Sequence, residues 1–347
     1  MPAASSQPRT TRRRARRITI ALVVCAGAIG ATAYGLLSSH LPYKSVDVFE
    51  ALGDDRPSAA PDSTGRTPLN ILLIGSDTRS GDNDAYDAPS DEQIAGARSD
   101  TTMLVHLSAD RRSATVVSIP RDTLAPRPSC PLRDGRWTPA ARQAPINTAL
   151  GVGGVTCVVT TVEKLTDLRI DHVVQVDFAG FAKLVDAIGG IEVTLSEPID
   201  DPYSGLHLPA GIHLLNGEQA LAFNRTRHGV GDGSDLARIG LQHQFLTALW
   251  HKLDAEQLLS DPIQLQRILR TAGSAFTVDT GLSSLDVILD LGTRWHDLSE
   301  QEVTFLTMPH STSSADPNRL VPAQPEADQL WHLLRTDHPT TALDGPG

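Results

Sequence analysis

Residues 69–79 read Leu-Asn-Ile-Leu-Leu-Ile-Gly-Ser-Asp-Thr-Arg, an apolar run of strand length that ends in a carboxylate and a guanidinium. The same pairing occurs twice more. Arg98 and Asp100 lead directly into an apolar run, and Arg121 and Asp122 follow another. Charged groups placed repeatedly at the ends of buried strands are expected to face one crevice, where guanidinium forks suit phosphate oxygens. The sequence therefore predicts a phosphate-handling site.

Hydrophobic periodicity around this stretch predicts an α/β protein. Apolar, partly β-branched runs of strand length occur at 69–74, 102–107, 115–119, 171–178, 191–195 and 303–308. Helical patterns occur at 155–168, 179–187, 216–224, 235–253, 261–272, 283–293 and 326–335. Strands that alternate with helices favour an α/β/α sandwich, with helices on both faces of a central mixed sheet. Residues 124–146 carry five prolines, which exclude a long helix and predict an irregular surface loop.

The charge distribution excludes nucleic acid as a partner. The chain has a net charge of −11, and six arginines with no acidic residue occupy positions 1–17. Without those six positive charges the remaining chain carries −17. An acidic body of this kind repels a nucleic-acid backbone, so any anionic ligand must be held by local arginines.

The N-terminal region predicts a single-pass membrane protein. Residues 18–37 carry no charge and are long enough to cross about 30 Å of hydrocarbon as a helix. The arginines before this run place the N-terminus in the cytoplasm and the following chain outside the cell membrane. A cleaved signal peptide is the alternative, because Ala31-Thr32-Ala33 forms a small-x-small site and Arg16-Arg17 is faintly similar to a twin-arginine signal.

The predicted organisation has five parts. They are a basic cytoplasmic tail (1–17), a transmembrane helix (18–37), an extracellular linker (38–68) with one short edge element around Val46–Phe49, a folded external domain (69–336) and a disordered tail (337–347). Three cysteines fit an exported protein, with Cys25 inside the predicted span. In an oxidising compartment Cys130 and Cys157 are expected to form a disulfide, against the alternative of two unrelated thiols.

An ordered series of motifs connects the charged residues. It consists of Leu72–Arg79, Ala97–Thr101, Ser118–Thr123, Asp177-Phe178, Leu215–Leu221, Arg225-Thr226-Arg227, and Asp235–Arg238 with Gln242. This series resembles the LytR-CpsA-Psr family of cell-wall glycopolymer transferases over about residues 69–253. The basic tail, single span and external domain are also similar to that family.

The resemblance implies a specific reaction. Enzymes of this family take a teichoic acid, capsule or other wall polysaccharide from a polyprenyl pyrophosphate carrier. They attach it to peptidoglycan through a phosphodiester, with Mg²⁺ as the expected cofactor. By motif position, Asp77 and Asp100 fall on the metal and catalytic acids, and Arg121 joins them in catalysis. The pyrophosphate-binding set falls on Arg79, Arg98, Arg121, Arg225, Arg227, Arg238 and Gln242. The family often has a basic residue directly before that glutamine, where this chain has Leu241.

Ordinary structural roles compete with several of these assignments. Asp77 and Asp100 are each two residues from an arginine, Arg79 and Arg98, so each carboxylate could form a structural ion pair. Arg121 could pair with Asp122. Cations also favour the C-terminal end of a helix, where Arg225 and Arg227 fall, and Asp235 sits where an N-cap belongs.

Arg238 is the more informative arginine. It falls in the first turn of a predicted helix, where a cation is unfavourable unless an anion lies near. The lipid part of the donor requires an apolar groove, for which the candidates are the helices 155–168 and 236–253 with Phe178, Phe181 and Phe245.

Two other functions stay open from the sequence. One is a non-catalytic, membrane-anchored regulator that binds lipid-linked intermediates, which needs the arginines but no metal pair. The other is a polyprenyl-pyrophosphate phosphatase, because water and a sugar hydroxyl are similar nucleophiles. The chain contains no Gly-x-Ser-x-Gly motif and no Walker-type loop, so serine-hydrolase and nucleoside-triphosphatase functions are not supported.

Overall fold

The computed structural model describes residues 43–53, 56–59, 61–62, 64–77, 97–132, 135–226, 235–258, 261–296 and 298–340. The predicted cytoplasmic tail and membrane helix lie outside these residues. Among the described residues, one helix, Ile146–Thr166, is long and apolar enough to span a membrane, but 61% of its most apolar window is buried in the domain. Burial of that kind is usual for a core helix.

A seven-stranded mixed sheet forms the centre of the domain. Its strands are β1 (Lys44–Val46), β2 (Leu69–Ser76), β3 (Ser99–Leu107), β4 (Ala114–Ser118), β7 (His172–Asp177), β12 (Phe276–Asp279) and β13 (Val303–Thr307). They lie in the order β1-β12-β7-β2-β3-β4-β13. β2 is parallel to β7 and antiparallel to β3, which is antiparallel to β4. The carboxyl ends of β2, β4 and β7 therefore meet the start of β3 at one edge of the sheet.

Four two-stranded antiparallel pairs complete the β structure of the described residues. They are formed by β5 (Leu124–Arg127) with β6 (Ala141–Pro145), β8 (Ile191–Leu195) with β11 (Gly211–Leu215), β9 (Ile199–Asp201) with β10 (Leu206–Leu208), and β14 (His310–Thr312) with β15 (Leu320–Pro322). The interpretation of 124–146 as an irregular loop was therefore wrong at its two ends. Proline has no N–H to donate to a neighbouring strand, but it is tolerated in edge strands, and both strands of a two-stranded sheet are edge strands. The prolines therefore exclude a long helix here without excluding strand pairing.

Helices cover both faces of the sheet, as predicted. They are α1 (Phe49–Leu52), α2 (Ala149–Thr166), α3 (Phe178–Ala187), α4 (Gly217–Arg225), α5 (Asp235–Ala255), α6 (Pro262–Ala272), α7 (Leu285–His296) and α8 (Glu326–Arg335). The alternation along β2 explains the layers, since successive side chains point to opposite faces. Leu72 and Ile74 pack with α2 and α8 in one core cluster, whereas Leu73 packs with Leu246 of α5 on the other side.

Part of the predicted linker belongs to the folded domain. β1 pairs in parallel with β12, and Val48 is fully buried in the main core cluster. Arg56 binds the buried carboxylate of Glu163 on α2, with 2.5 Å between Nη2 and Oε1. The edge strand lies at Lys44–Val46, slightly earlier than the expected element around Val46–Phe49, and the domain begins before Leu69. The pairing was hard to foresee because its partner lies more than two hundred residues away in sequence.

The start of the predicted disordered tail is also ordered. The carboxylate of Asp337 lies 3.0 Å from Nε2 of His106 and accepts a hydrogen bond from the main-chain N–H of Ala109 at 3.0 Å. Thr340 is buried beside Thr115. The ordered domain thus continues past Thr336, and residues 341–347 lie outside the described range.

A disulfide joins the loop after β5 to α2. Cys130 and Cys157 have their Cα atoms 5.2 Å apart, and both residues are fully buried. A bond at this position fastens the proline-rich segment onto the core helix. Gly153, in the kink of α2, leaves room for it, because a Cβ there would lie 2.8 Å from the Cβ of Cys157.

Candidate functional site

A cavity of about 400 Å³ lies between the sheet and the helices α3 and α5. Its inner wall is apolar and is formed by Leu73, Val174, Phe181, Phe245 and Leu249, among others. Its polar side chains belong to residues at the sheet edge where β2, β4 and β7 end, and to the nearby ends of α4 and α5: Asp100, Thr101, Arg121, Asp177, Asn224, Arg225, Arg238 and Gln242. The site therefore combines an apolar interior with a charged end.

Asp100 reaches this cavity because of a β-bulge. Gly75 pairs with Thr101, but the next residue, Ser76, pairs with Ser99, so Asp100 is an extra residue in β3. A bulge lets two successive side chains face the same way, and both Asp100 and Thr101 line the cavity. Gly75 fits closely opposite them: a Cβ there would lie 3.0 Å from the Cβ of Thr101, and one of the two strands would have to shift slightly.

Arg121 pairs with Asp100 across the polar end. Its Nη1 lies 2.5 Å from Oδ1 of Asp100, and its Nε lies 3.4 Å from Oδ2 of Asp122. The ion pair with Asp122, which the sequence offered as an alternative role for Arg121, is thus present. Arg121 also contacts Asp100 in the site. Both side chains of the Asp100 pair are about one-fifth exposed, so a ligand in the cavity can reach them.

Asp77 and Arg98 occupy a different position. The main-chain N–H of Arg98 donates to Oδ1 of Asp77 at 2.6 Å, and that of Asp77 donates to the carbonyl of Arg98 at 3.1 Å. These bonds close the base of the segment between β2 and β3. Neither residue lines the cavity, so the structure does not place them with the Asp100 group.

Arg225, Arg238 and Gln242 reach the cavity from two helices. Arg225 ends α4, and its guanidinium carbon lies 5.0 Å from the centroid of the Phe178 ring, a cation–π arrangement. Arg238 is only 5% exposed, and its Nη2 lies 3.5 Å from the main-chain oxygen of Asp100. The carbonyl oxygen is a partial negative partner for this buried cation, and the anion that the sequence predicts near Arg238 stays a prediction.

Three predicted positions cannot be compared with this site. Arg79, Arg227 and the side chain of Asp235 lie outside the described part of the structure. Their assignments stay predictions.

Sequence reasoning gave no site role to three polar residues that line the cavity, Thr101, Asp177 and Asn224. The amide Nε2 of Gln242 donates to Oγ1 of Thr101 at 3.3 Å and to the carbonyl of Asn224 at 3.2 Å. Asn224 could have been found from helical spacing, because it lies three residues after Leu221 and one before Arg225, which share its face of α4. Thr101 required knowledge of the bulge.

The prediction for the lipid groove was half right. Phe178, Phe181 and Phe245 line the cavity together with α5. The predicted helix 155–168 lies in α2, which packs in the core cluster on the opposite face of the sheet. The apolar pattern of this helix was equally consistent with packing on either face of the central sheet. Only the order of the strands in three dimensions decides which face it covers.

His243 on α5 links this helix to the end of β4, next to the site. Its Nε2 lies 2.9 Å from Oγ of Ser118 at the end of β4, and its ring packs 5.8 Å from that of Phe305. Burial lowers the pKa of His243 below its ordinary value, which keeps the ring neutral under neutral conditions. The contact fastens α5, which carries Arg238 and Gln242, to the strand that precedes Arg121.

The donor groups of the site fit Mg²⁺. This ion binds carboxylate oxygens and usually takes only one or two from the protein, with waters and phosphate oxygens for the rest. The described residues contain no group of three or more His, Cys, Asp or Glu that could form a complete cage. Of the two carboxylates that the motifs predict as metal ligands, the structure places Asp100 at the cavity, whereas Asp77 lies outside its lining and stays a prediction.

A cavity with an apolar interior and arginines at one end is chemically suited to an amphiphilic anion. A model of the LytR_cpsA_psr family matches residues 37–336, and the chain belongs to this family. The expected resemblance is thereby confirmed.

Named relatives work on the cell wall. The chain is 31% identical over 264 residues to the cell wall biosynthesis protein LcpA of Corynebacterium glutamicum, an alignment that covers 69% of this chain and 49% of LcpA. It is 29% identical over 268 residues to the polyisoprenyl-teichoic acid–peptidoglycan teichoic acid transferase TagT of Bacillus subtilis, which covers 75% of each chain. The chain thus spans about half the length of LcpA.

Solved structures share the fold. The B. subtilis TagV crystal structure superposes with a TM-score of 0.61 at 24% identity, covering 78% of this chain and 97% of TagV. A LytR-Csp2A-Psr enzyme from Actinomyces oris gives 0.61 at 22% identity, covering 85% of this chain and 96% of that structure. The α/β architecture with a central mixed sheet is therefore the one these proteins have.

Proposed function

We propose that this protein is a membrane-anchored phosphotransferase that moves a glycopolymer from a polyprenyl pyrophosphate carrier to peptidoglycan through a phosphodiester bond. The observation that carries the proposal is the convergence of Arg121, Arg225 and Arg238 with Asp100 at the polar end of one apolar cavity. These four residues come from four places in the chain: the start of β3, the turn after β4, the end of α4 and the first turn of α5.

Each half of this cavity suits one half of such a donor. The apolar wall offers burial to part of a polyprenyl chain, and burying each methylene contributes about 0.8 kcal/mol. The arginines offer planar forks that hold two phosphate oxygens at once and stay protonated. TagT, whose name describes transfer of a teichoic acid from a polyisoprenyl carrier to peptidoglycan, supports the same substrate class.

The proposed reaction is a displacement at phosphorus. A sugar hydroxyl of peptidoglycan forms an O–P bond to the phosphorus nearer the polymer, the bond from that phosphorus to the bridging oxygen breaks, and polyprenyl phosphate leaves. The hydroxyl proton passes to Asp77 or Asp100, or to water. Arg121, Arg225 and Arg238 stabilise the charge that builds on the bridging and leaving oxygens.

Mg²⁺ is the proposed cofactor. Asp100 and Asp77 would hold it, and when bound it would supply positive charge to the diphosphate oxygens. The proposed location is the outer face of the cell membrane, with residues 18–37 as the anchor. This part of the proposal is supported by the charge and length of the N-terminal segment.

Arginine-to-alanine variants test the proposal. The full-length protein is incubated with a lipid-pyrophosphate-linked saccharide, Mg²⁺ and peptidoglycan fragments, and the acceptor mass is measured. Arg121→Ala, Arg225→Ala and Arg238→Ala should each keep the fold and lower transfer by at least about a hundredfold, because each removes a donor to the developing charge. The exposed Arg142→Ala serves as the matched control. Near-normal transfer by all three cavity variants would refute the site.

The same assay separates the enzyme from a regulator that only binds the donor. Asp77→Ala should abolish turnover and leave donor affinity nearly unchanged. If the wild-type protein binds the donor but modifies no acceptor under any Mg²⁺ concentration, the regulator is the better account. Release of free phosphorylated polymer without acceptor modification indicates the phosphatase.

A further inference from the structure

Arg319 lies outside every motif that the sequence singled out, in the C-terminal part of the chain. We propose that Arg319 is a positioning residue that orients Arg121 toward the donor's diphosphate through Asp122. The inference rests on the proposed function, because it assumes that Arg121 binds a phosphate group.

A row of alternating charges connects Arg319 to the cavity. Nη1 of Arg319 lies 2.5 Å from Oδ1 of Asp122, and the other oxygen of that carboxylate, Oδ2, lies 3.4 Å from Nε of Arg121. Nη1 of Arg121 in turn lies 2.5 Å from Oδ1 of Asp100, which lines the cavity. Asp122 therefore uses one oxygen for each arginine.

The main chain holds Arg319 at this place. The N–H of Leu320 donates to the carbonyl of Asp122 at 3.2 Å, and Leu320 forms an isolated parallel bridge with Thr123. The N–H of Ser313 donates to the carbonyl of Arg319 at 2.8 Å across the β14–β15 hairpin. The segment that carries Arg319 is thus hydrogen-bonded directly to the strand end that carries Arg121.

Two physical effects follow from the contact. The guanidinium of Arg121 has its plane fixed by carboxylates at Nε and Nη1, and Arg319 fixes the carboxylate at Nε. Asp122 would also repel an incoming diphosphate, and the charge of Arg319 offsets that repulsion. Loss of Arg319 should therefore affect anion binding and transfer more than folding, since ion pairs between half-exposed side chains contribute only about 0–1 kcal/mol to stability.

The competing explanation is that Arg319 merely fastens the hairpin to the domain. Asp316 provides a matched control, because its Oδ2 lies 3.7 Å from Nε of the same arginine, a different nitrogen from the one that binds Asp122. Asp316→Asn should weaken the local hairpin without altering the row of charges. A fastening role would make the two variants alike.

The test measures binding of inorganic pyrophosphate with Mg²⁺ to the full-length protein by calorimetry, beside transfer kinetics and thermal unfolding. Arg319→Gln should weaken pyrophosphate binding and transfer by about tenfold, the lower end for groups that orient a ligand set. Arg319→Lys, which keeps the charge without the fork, should recover part of the loss. Asp316→Asn should match wild type, and all three variants should unfold at nearly the wild-type temperature.

A double-mutant cycle completes the test. In an Arg121→Ala background, Arg319→Gln should have a clearly smaller effect than in wild type, because the orientation of Arg121 no longer contributes and only the offset of the Asp122 charge remains. An equal loss in both backgrounds, or wild-type binding by Arg319→Gln, overturns the inference while wild-type transfer stands. A wild-type protein that neither binds pyrophosphate nor transfers polymer overturns the proposed function, and the inference with it.

Discussion

At the scale of single residues, the charged residues of the cavity could be predicted from the sequence more completely than its uncharged polar residues. Arg121 and Asp100 could be predicted because both lie where a buried strand ends or begins, and such ends meet at a sheet edge. Thr101 and Arg319 could not be predicted. The first depends on a one-residue bulge, and the second on a hairpin that packs against the site from almost two hundred residues away.

A substitution at Arg238 can separate the effect of its positive charge from the effect of the planar guanidinium shape. It is buried at the start of α5 and directs Nη2 toward the main-chain oxygen of Asp100. Arg238→Lys keeps the charge but loses the planar fork, so we expect transfer to fall by about tenfold or more. Steady-state transfer kinetics measure this, with Arg142→Lys on the exposed surface as the control. Full activity of Arg238→Lys would show that a point charge suffices.

At the scale of elements, strands and helices with strong periodicity were predicted well, and pairings between distant segments were not. β2, β3 and β4 coincide with the three apolar runs that adjoin the charged motifs. β5 and β6 were not predicted because their segment is rich in proline. Proline clearly disfavours a helix, but whether it is tolerated in an edge strand depends on the partner strand. Gly153 and Gly154 have non-helical backbone angles, so α2 consists of a short first piece and a longer helix that begins near Val155, where the apolar pattern predicted it.

The packing of α3 against α4 depends on a glycine. A Cβ added at Gly217 would lie 2.7 Å from the carbonyl carbon of Ala182 and closer still to its oxygen, so the two helices would have to separate. Gly217→Ala should therefore lower the free energy of unfolding by about 1–3 kcal/mol. It should also weaken pyrophosphate binding, because α4 carries Asn224 and Arg225.

Gly240 in α5 is the matched control for that substitution. A Cβ there meets nothing within 4 Å, so Gly240→Ala should stabilise the protein by about 0.5–1 kcal/mol through helix propensity. Denaturant unfolding measures both variants. Equal effects of the two substitutions would show that the close approach of α3 and α4 is not rigid.

At the scale of the whole molecule, the layer order could be predicted and the strand order could not. Helices on both faces follow from the alternation of strand and helix patterns. The order β1-β12-β7-β2-β3-β4-β13 depends on pairings across most of the chain, including β1 with β12. The side of the sheet that holds the cavity is decided by that order, which explains why α2 was wrongly expected to line it.

The stability of the whole domain should depend on pH through His243. Its pKa is lowered in the folded protein by burial, so between the folded and unfolded pKa values the unfolded chain binds more protons. This contribution to stability is fully present above the ordinary histidine pKa of about 6.5 and is lost as the pH falls toward the folded value. Protonation would also disturb the contact with Ser118 that holds α5 on the sheet.

Denaturant unfolding of the full-length protein at pH 7.5, 6.5 and 5.5 measures this dependence. His243→Leu should reduce the loss of stability over that range, because the unfolded chain of the variant lacks the proton-binding group. His207→Leu, which replaces an exposed histidine paired with Asp200, should retain most of the loss. If His243→Leu and wild type lose stability in parallel, the acid sensitivity of the domain originates elsewhere, and His243 holds α5 on the sheet by packing alone.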